Sequence, residues 1–465
     1  MAFGWKLHGD GKKLEVGEVV APDERLSWGR TVGLGAQHVV AMFGATFVFP
    51  LVMGLNPQLA VMMSGVATIL FLLIVKGKVP SYLGTSASFV GGVAAIRAQE
   101  GTSAQVTGAI LVAGLILAVV GVLIHFLGAR IINKILPPVV TGAVVMLIGF
   151  NLAPVVADIY WPQDQWIALL VMVAVFLMSV GLRGFLGRIS IFLGLVFGYV
   201  LSWVFDLVFG QITSYDAAAE KVTTHSRVSW ENVQAADWFG LPPRTGTIGP
   251  DGAALVGWHL PDIKWTFVLL VIPAVIALIA ENAGHVKAVA EITRTDLDPV
   301  MGRAIGADGV ATALTSFVGG SPTTTYAENI GVMAATRVYS TAAYYVAAIV
   351  AILFGFSPKF GAIISATPGG VLGGITVVLY GMIGLLGAKI WRENRVDFGN
   401  PVNLVPVAAG LILAIGDTAL RFSSQFQLSG IALGTIVVIV FYHFARLIAP
   451  RHLVHAADGK EPVKE

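Results

Sequence analysis

Three polar side chains stand close together in one of the most apolar stretches of the chain, ALIAENAGHVKAV at 277–289. Glu281 and His285 are four residues apart, so on a helix they share one face and each could hold the other's proton or charge. A second acid, Glu328, lies within TTTYAENIGVMAATR. A carboxylate at the centre of a membrane helix costs about 2.5–3.5 kcal/mol on insertion scales. Two such carboxylates, Glu281 and Glu328, occur in this apolar sequence, which indicates a path for a solute or a proton.

Four further polar residues, two of them next to the acids and two in the first apolar segment, are interpreted as supports for these acids. Asn282 and Asn329 each follow a glutamate, and an amide at such a place bridges helices or holds a broken backbone. Gln37 and His38 lie in the first apolar segment. An imidazole there is as often a satisfied packing partner as a functional group, so both interpretations of His38 stay open.

The same residues allow less specific interpretations. The Glu281–His285 pair could be an interhelical clamp without solute contact, and Tyr326 could stack on a planar ring or fill the core. A membrane-embedded metalloenzyme would use Glu281 and His285 as ligands, but the sequence has no HExxH motif and no further histidine nearby. Two acids, a histidine and exposed backbone groups instead suit a small, flat, hydrogen-bonding solute.

The surroundings of these residues are typical of a membrane. Hydrophobic residues make up 56% of the chain and charged residues 12%, with a mean hydropathy of +0.81, whereas soluble domains carry about 25% charged residues. One bilayer crossing needs about 20 apolar residues. The sequence therefore predicts an all-α polytopic membrane protein with 14 transmembrane segments. These lie near 31–51, 57–75, 80–97, 104–127, 138–156, 165–182, 189–210, 266–287, 300–319, 326–337, 340–357, 371–389, 402–419 and 427–447.

Both termini are predicted on the cytoplasmic side. Fourteen spans place them on the same side, and 22 of the 29 lysines and arginines fall there, as expected for cytoplasmic loops. Residues 1–30 are polar and have no apolar core, so we expect a cytoplasmic tail rather than a signal peptide, with a second tail at 448–465. The long loop 211–265 is then periplasmic. The chain has no cysteine and no GxxxxGK[ST] loop, which argues against disulfides and against transport driven by its own ATP hydrolysis.

The long loop divides the segments into two sets of seven. An odd number in each half forces the second half to run inverted, which predicts a 7+7 inverted repeat. Spans 3 and 10 are interrupted at matching places, by PSYLGTSASFVGG at 80–92 and VGGSPTTTYAENIGV at 318–332. Their small and β-branched residues, among them Thr85 and Thr323, predict short extended segments. Such segments are tolerated at membrane depth only where protein or a cavity covers them, so we expect the solute to bind between them.

Several motifs carry a resemblance to a known family. AENIGVMAATR at 327–337 fits the signature ENxGxxxxTR, and AENAGH occurs at 280–285. With these motifs the chain resembles the nucleobase–cation symporter-2 (nucleobase–ascorbate transporter) family, and within it the bacterial uracil permeases. The likeness runs over most of the chain and is greatest to the pyrimidine permease type of the Rut uracil-degradation pathway. The other stretches that carry it are QH at 37–38, AMFGAT at 41–46, VVAPDERL at 19–26 and PPVVTGAVVM at 137–146.

The resemblance implies two domains that move against each other in an elevator-like manner, and a homodimer. The core domain would comprise spans 1–4 (31–127) and spans 8–11 (266–357). The gate domain would comprise spans 5–7 (138–210) and spans 12–14 (371–447).

The resemblance also implies roles for single residues. By motif position, Glu281 and Glu328 would bind uracil, and His285 would join Glu281 in proton coupling. The uracil permeases have an aromatic residue where this chain has Ala87 in TSASF, so we expect a roomier site that could also admit thymine or xanthine. The other residues implied at the site are Ala45, Phe89, Tyr326, Ala327 and, from the gate side, Tyr380.

The sequence thus predicts a secondary active transporter of the inner (plasma) membrane that imports uracil by proton symport. The proton is the coupling ion, and no cofactor, metal, enzymatic activity or nucleic-acid partner is expected. The alternatives are an anion or purine transporter of the same fold and a passive nucleobase channel. Paired acids would repel an anion, and uptake without proton dependence would favour the channel.

Overall fold

The computed structural model of the chain describes most of its length. The described residues are 4–12, 14, 18–128, 136–216, 221–249, 252–416, 418–423, 426–428 and 430–457. Five of the cations counted for the orientation, and the end of the predicted C-terminal tail, lie outside the described residues. These cations are Lys13, Arg130, Lys134, Lys460 and Lys464.

Helices dominate the fold. In the first half they are α1 (Trp28–Val52), α2 (Pro57–Ile74), α3 (Val90–Arg97), α4 (Ser103–Leu127), α5 (Pro138–Phe150), α6 (Gln165–Gly181), α7 (Gly184–Arg188), α8 (Ser190–Phe209) and α9 (Glu231–Ala235). In the second half they are α10 (Trp265–Thr293), α11 (Asp298–Phe317), α12 (Ala327–Thr336), α13 (Thr341–Gly355), α14 (Pro358–Ser365), α15 (Gly369–Glu393), α16 (Pro401–Ile415), α17 (Gly430–Ile448) and α18 (Arg451–Ala457). Each of the fourteen predicted segments overlaps one of these helices.

Short 3₁₀ or π-helical segments lie at Ala87–Phe89, Val155–Tyr160 and Trp161–Gln163, and the short strands form four two-stranded sheets. β1 pairs with β2, β3 with β6, β4 with β5, and β7 with β8. The strands are β1 (Lys6–Leu7), β2 (Glu24–Arg25), β3 (Leu83–Thr85), β4 (Ile212–Asp216), β5 (Lys221–His225), β6 (Thr323–Thr325), β7 (Leu420–Ser423) and β8 (Phe426–Leu428).

Local sequence explains where several helices begin. Asn56 caps α2 by accepting a hydrogen bond from the backbone N–H of Leu59 at 2.8 Å, and Pro57 follows at the first helical position. Thr102 and Gln105 form a reciprocal capping box at the start of α4. These helix starts therefore depend on a few neighbouring residues.

By length and composition, eight described helices could cross a membrane, or nine if the bent pair Thr341–Gly355 and Pro358–Ser365 forms one span. Three further apolar helices are shorter: Ala87–Arg97, Gln165–Gly181 and Pro401–Ile415. The structure is therefore that of a multi-pass membrane protein. The count of fourteen and the inverted repeat stay predictions.

The helices pack mainly within two groups. The first contains α1–α4 and α10–α13, and the second contains α5, α6, α8 and α15–α17. Glycines allow the closest approaches: a Cβ on Gly121 of α4 would collide with the backbone of Gly306 of α11, and one on Gly149 of α5 with the backbone of Gly384 of α15. Small residues bring membrane helices together in this way.

The interruptions predicted in spans 3 and 10 are extended segments in the structure. β3 and β6 lie in the middle of the first group and are completely buried. α3 begins shortly after β3, and α12 begins two residues after β6. Each of these two segments is therefore a strand that continues into a half-helix, and the pairing of the strands joins the two halves of the chain.

Candidate functional site

The site is built around the antiparallel pair of β3 and β6. The register pairs Gly84 with Thr324, and Thr85 with Thr323, the two threonines singled out in the sequence. At one end the Thr85 and Ser321 hydroxyls lie 2.8 Å apart. At the other end the Tyr326 backbone N–H donates to the Tyr82 carbonyl at 3.1 Å. The pairing thus satisfies backbone groups that the bilayer could not.

The first turn of α12 lies next to this strand pair and is accessible. Ala327 and Glu328 are both exposed there, although the strand before them is buried. The helix has Tyr326 at its N-cap, and that side chain makes no capping hydrogen bond. The first N–H groups of a helix have no acceptor within the helix. This end of α12 therefore places backbone N–H donors beside the Glu328 carboxylate, which accepts the N–H of Glu328 itself.

Glu281 approaches the same place from α10. Its side chain is half-buried and faces the hydroxyls of Ser88 and Thr324, with Glu328 near enough to interact electrostatically. The Thr324 hydroxyl is buried and makes no close hydrogen bond within the described part of the chain. Glu281 and Glu328 thus present two carboxylates, from two different helices, close enough to interact electrostatically.

His285 has a different partner from the one expected. Its Nδ1 lies 2.7 Å from the Thr325 hydroxyl. Among the described residues Glu281 and His285 form neither a hydrogen bond nor an ion pair in this conformation, and their shared role in proton coupling stays a prediction. Spacing along the helix places the two residues on one face, but the imidazole forms its hydrogen bond with Thr325 of β6.

A further acid within the predicted spans was missed in the sequence. Asp308 on α11 is completely buried, so the interpretation of two membrane carboxylates was incomplete. Its Oδ2 accepts a hydrogen bond from the Asn282 amide at 2.7 Å, and its Oδ1 accepts one from the Thr323 hydroxyl at 3.3 Å. The signal was present, because Asp308 falls in the middle of the ninth predicted segment. Asn282, predicted as a support, has Asp308 as its partner in this structure.

These contacts form one hydrogen-bonded chain from α10 through β6 to α11. The Thr325 hydroxyl donates to the Asn282 amide oxygen at 3.1 Å, so it must accept from His285. His285 therefore carries a proton on Nδ1, and the neutral ring keeps a lone pair on Nε2. A change of charge at His285 would act on Asp308 through two intervening side chains.

A second network joins α1 to α12. The Asn329 amide donates to the His38 carbonyl at 3.0 Å and lies 3.1 Å from its Nδ1. The His38 ring is buried and packs on Tyr344, with the ring centroids 4.3 Å apart. This geometry favours the packing interpretation of His38 and the supporting role of Asn329. Gln37 is half-buried and makes no side-chain hydrogen bond to any described residue.

The predicted lining residues divide into accessible and buried ones. Ala45 and Ala87 are half-buried, whereas Phe89 is fully buried in the core. Tyr326 is only 4% exposed, and a Cβ on Gly84 would lie 2.5 Å from its ring. Its hydroxyl donates to the Thr85 carbonyl at 2.8 Å. In this conformation Tyr326 therefore fills the core beneath β3 and presents no ring face.

Tyr380 lies on α15 in the second helix group. It helps to line an apolar cavity of about 480 Å³, together with Phe150 and Trp161, and none of the three acids borders that cavity. The Tyr380 hydroxyl is buried and makes no hydrogen bond within the described ranges. The structure thus places Tyr380 in the wall of the second group, apart from the strand pair.

Within the described residues, no group of three or more His, Asp or Glu side chains could hold a metal ion. The acids of the site are spread over α10, α11 and α12. Their neighbours are hydroxyl, amide and backbone N–H groups. This arrangement is suited to hydrogen bonding with an organic solute.

Comparison with known proteins gives consistent results. Residues 29–422 match a family described as a permease family. The chain is 43% identical over 429 residues to a protein of Escherichia coli (strain K12) named as pyrimidine permease RutG, covering 91% of each chain. It is 35% identical over 427 residues to the uracil permease of Bacillus caldolyticus, covering 90% of this chain and 92% of that protein.

Two solved structures share the fold at low sequence identity. The transmembrane domain of the cyanobacterial bicarbonate transporter BicA superposes with a TM-score of 0.54 at 13% identity, covering 89% of this chain and 96% of that one. The murine Solute Carrier 26 family member A9 anion transporter, in the inward-facing state, has a TM-score of 0.60 at 12% identity, covering 92% and 70%. These likenesses concern the fold alone.

Proposed function

The chain belongs to the nucleobase–cation symporter-2 family, and from this premise we propose that it imports uracil together with protons. The family resemblance read from the motifs is thereby confirmed. The relatives are permeases of uracil and pyrimidines rather than enzymes, which supports nucleobase transport through the membrane. Uracil itself, the proton and the direction of transport are the finer parts of the proposal.

One observation carries the choice of solute, namely the accessible start of α12 with its carboxylate. Backbone N–H groups at the start of α12, such as that of Ala327, suit a carbonyl oxygen, while the Glu328 carboxylate suits a ring N–H. Uracil carries both groups side by side on one edge. A hydrogen bond to a charged group contributes about 1.5–3 kcal/mol, so Glu328 is assigned the main binding contact and Glu281 the second.

Proton coupling is assigned to Glu281, His285 and Asp308 together. The hydrogen-bonded chain links the imidazole to Asp308, and Glu281 lies near enough to Asp308 to interact with its charge. A proton taken up at one of these groups would therefore alter the others. One proton crossing 100 mV supplies about 2.3 kcal/mol, which at about 1.36 kcal/mol per decade allows roughly 50-fold accumulation.

The movement is assigned to the two helix groups. Each is densely packed within itself, whereas contacts between them are fewer and lie mainly between α10 and α17 and between α10 and α5. We assign the first group to a moving core and the second to a gate, in an elevator-like cycle. The protein would work as a homodimer in the inner membrane with both termini in the cytoplasm.

The test is uptake of labelled uracil into proteoliposomes with and without an imposed pH gradient. Accumulation that follows the gradient supports symport, and equilibration without dependence on it would favour a passive channel. Unlabelled thymine, xanthine, adenine and bicarbonate are added in turn as competitors. Uptake of labelled bicarbonate in a parallel assay, with no uptake of uracil, would overturn the proposal in favour of an anion transporter.

A variant separates binding from coupling. His285→Ala keeps both carboxylates, so it is expected to exchange uracil in counterflow while it accumulates uracil poorly under the gradient. Lys287→Ala, an exposed position on the same helix, serves as the control and should behave like the wild type. If His285→Ala still concentrates uracil with the normal dependence on the gradient, the histidine is structural and the coupling rests on the acids.

A further inference from the structure

The long loop between α8 and α10 is held to both helix groups. Its first part is held to the second group by Arg227, whose Nε lies 2.7 Å from Asp164 and whose guanidinium lies 3.1 Å from Asp206. The backbone N–H of Val228 donates to Asp206 at 3.0 Å. The ion pairs are almost fully buried, and removing one partner of a buried pair leaves an uncompensated charge. This attachment is therefore firm.

A few residues later the loop is attached to α14, which packs on α2 of the first group. The Lys359 ammonium, on α14, donates to the Val233 carbonyl at 2.8 Å, and the Lys359 backbone N–H donates to Asp237 at 2.8 Å. Further along, the Asp262 backbone N–H donates to the Ala104 carbonyl of α4 at 2.8 Å. The loop thus changes from one group to the other between Val228 and Val233.

The chain passes between the groups a second time at the same place. Residues 366–368 connect α14, which packs on α2 in the first group, to α15 in the second. A polar cavity of about 700 Å³ separates this connection from the loop. Its walls include Ser229, Trp230, Glu231 and Gln234 from the loop, and Ser365, Ala366, Thr367 and Pro368 from the connection.

We infer that these two passages, 229–232 and 366–368, form a paired hinge whose cavity changes volume when the two groups move. Hinges are short segments between rigid elements, and both passages have firm attachments on either side. A close-packed apolar core resists changes of volume, whereas a cavity with polar walls can gain and lose water. The inference rests on the proposed movement of core against gate.

Cysteines placed on the two hinge walls test it, because the native chain has none. Ser229→Cys and Ser365→Cys are nearly isosteric changes at exposed residues. A membrane-impermeant thiol reagent is expected to modify each of them at a rate that changes about threefold or more when uracil is added, since ligand binding redistributes conformations. Val222→Cys is the control. It is 67% exposed on β5, in the part of the loop held to the second group, so its rate should not change.

Parallel thermal-shift measurements with uracil separate the possible failures. If uracil stabilises the protein but the rates at Ser229→Cys and Ser365→Cys stay the same, the hinge is overturned and the proposed function stands. If all three rates change equally, the effect is not located at the cavity and the hinge is again overturned. If uracil neither stabilises nor enters the wild-type protein, the proposed function fails, and the hinge inference fails with it.

Discussion

The two half-helices that follow the paired strands begin with different chemistry. α12 begins with Ala327 and Glu328, which are both exposed, and its N-cap residue makes no capping hydrogen bond. The other half-helix, α3, is preceded by a 3₁₀ turn whose start is capped by Ser86, with its hydroxyl accepting the Ser88 N–H at 3.2 Å. Phe89 follows and is fully buried. One half-helix therefore starts open and acidic, and the other starts capped and apolar.

This difference shows how one arrangement can serve two purposes. A broken helix at membrane depth always leaves backbone groups to be satisfied. On the α3 side the protein's own side chains satisfy part of this demand, and the segment becomes scaffold. On the α12 side the donors stay accessible, and Glu328 adds charge. Under the proposed function, binding is assigned mainly to α12, and α3 forms a wall of the site.

The largest effect is expected for Glu328→Ala. It removes the charge-assisted acceptor, worth about 1.5–3 kcal/mol, so uracil affinity should fall by roughly 10- to 150-fold. Stabilisation by uracil in a thermal-shift titration measures this loss. Glu393→Ala, at an acid whose side chain is 54% exposed, is the matched control and should titrate normally. Undiminished stabilisation of Glu328→Ala would remove the open end of α12 from the site.

Gly84→Ala tests the packing on the scaffold side. The new methyl group would lie 2.5 Å from both the Tyr326 ring and the Thr46 hydroxyl, and such overpacking typically costs about 1–3 kcal/mol. We expect a lower midpoint of thermal unfolding in detergent. Gly33→Ala on α1, where nothing lies within 4 Å, should leave it unchanged. Equal unfolding midpoints in the two variants would show that Gly84 of β3 is not closely packed against Tyr326.

The register partners Thr85 and Thr323 allow a direct comparison of the two strands. The Thr323 hydroxyl contacts the Asp308 carboxylate and Thr312, whereas the Thr85 hydroxyl contacts Ser321 and, at 3.5 Å, the Thr46 carbonyl, with no charged partner. Thr323→Val should therefore destabilise the protein more than Thr85→Val, within the roughly 0.6–1.7 kcal/mol typical of such bonds in membranes. Chemical denaturation of both variants gives the order. If Thr85→Val destabilised the protein more, the hydrogen bonds of β3 would matter more for stability than those of β6.

The smallest effect on uracil itself is expected for Ala87→Phe. Ala87 is half-buried, and an aromatic ring there would narrow the wall on the α3 side. We expect uracil affinity to change by less than about threefold, while competition by thymine and xanthine weakens about tenfold, the order that steric discrimination supplies. Ala95→Phe, also half-buried but on the next turns of α3, controls for added bulk. Unchanged competition would show that Ala87 does not border the solute.

Much of the fold could be predicted because its causes are local. Apolar runs of sufficient length form helices in a bilayer, and the runs at 57–75 and 104–127 nearly coincide with α2 and α4. The Gly, Pro and Thr residues that interrupt spans 3 and 10 likewise predicted the extended segments β3 and β6. Glu281 and Glu328 could be singled out because a charge in apolar sequence is conspicuous by itself.

The sequence by itself thus determined the membrane class, the helices, the two broken spans and the family. The tertiary structure alone decided which groups meet. It turned His285 towards Thr325 instead of Glu281, brought Asp308 to Asn282, and buried the Tyr326 ring beneath Gly84. Helix periodicity predicts contacts three or four residues apart on one helix. Partners 26 to 43 residues apart, as in the Asn282–Asp308 and Asn282–Thr325 bonds, are set by how α10, α11 and β6 pack, because side chains in a dense interior take the partner that the neighbouring backbone places within reach.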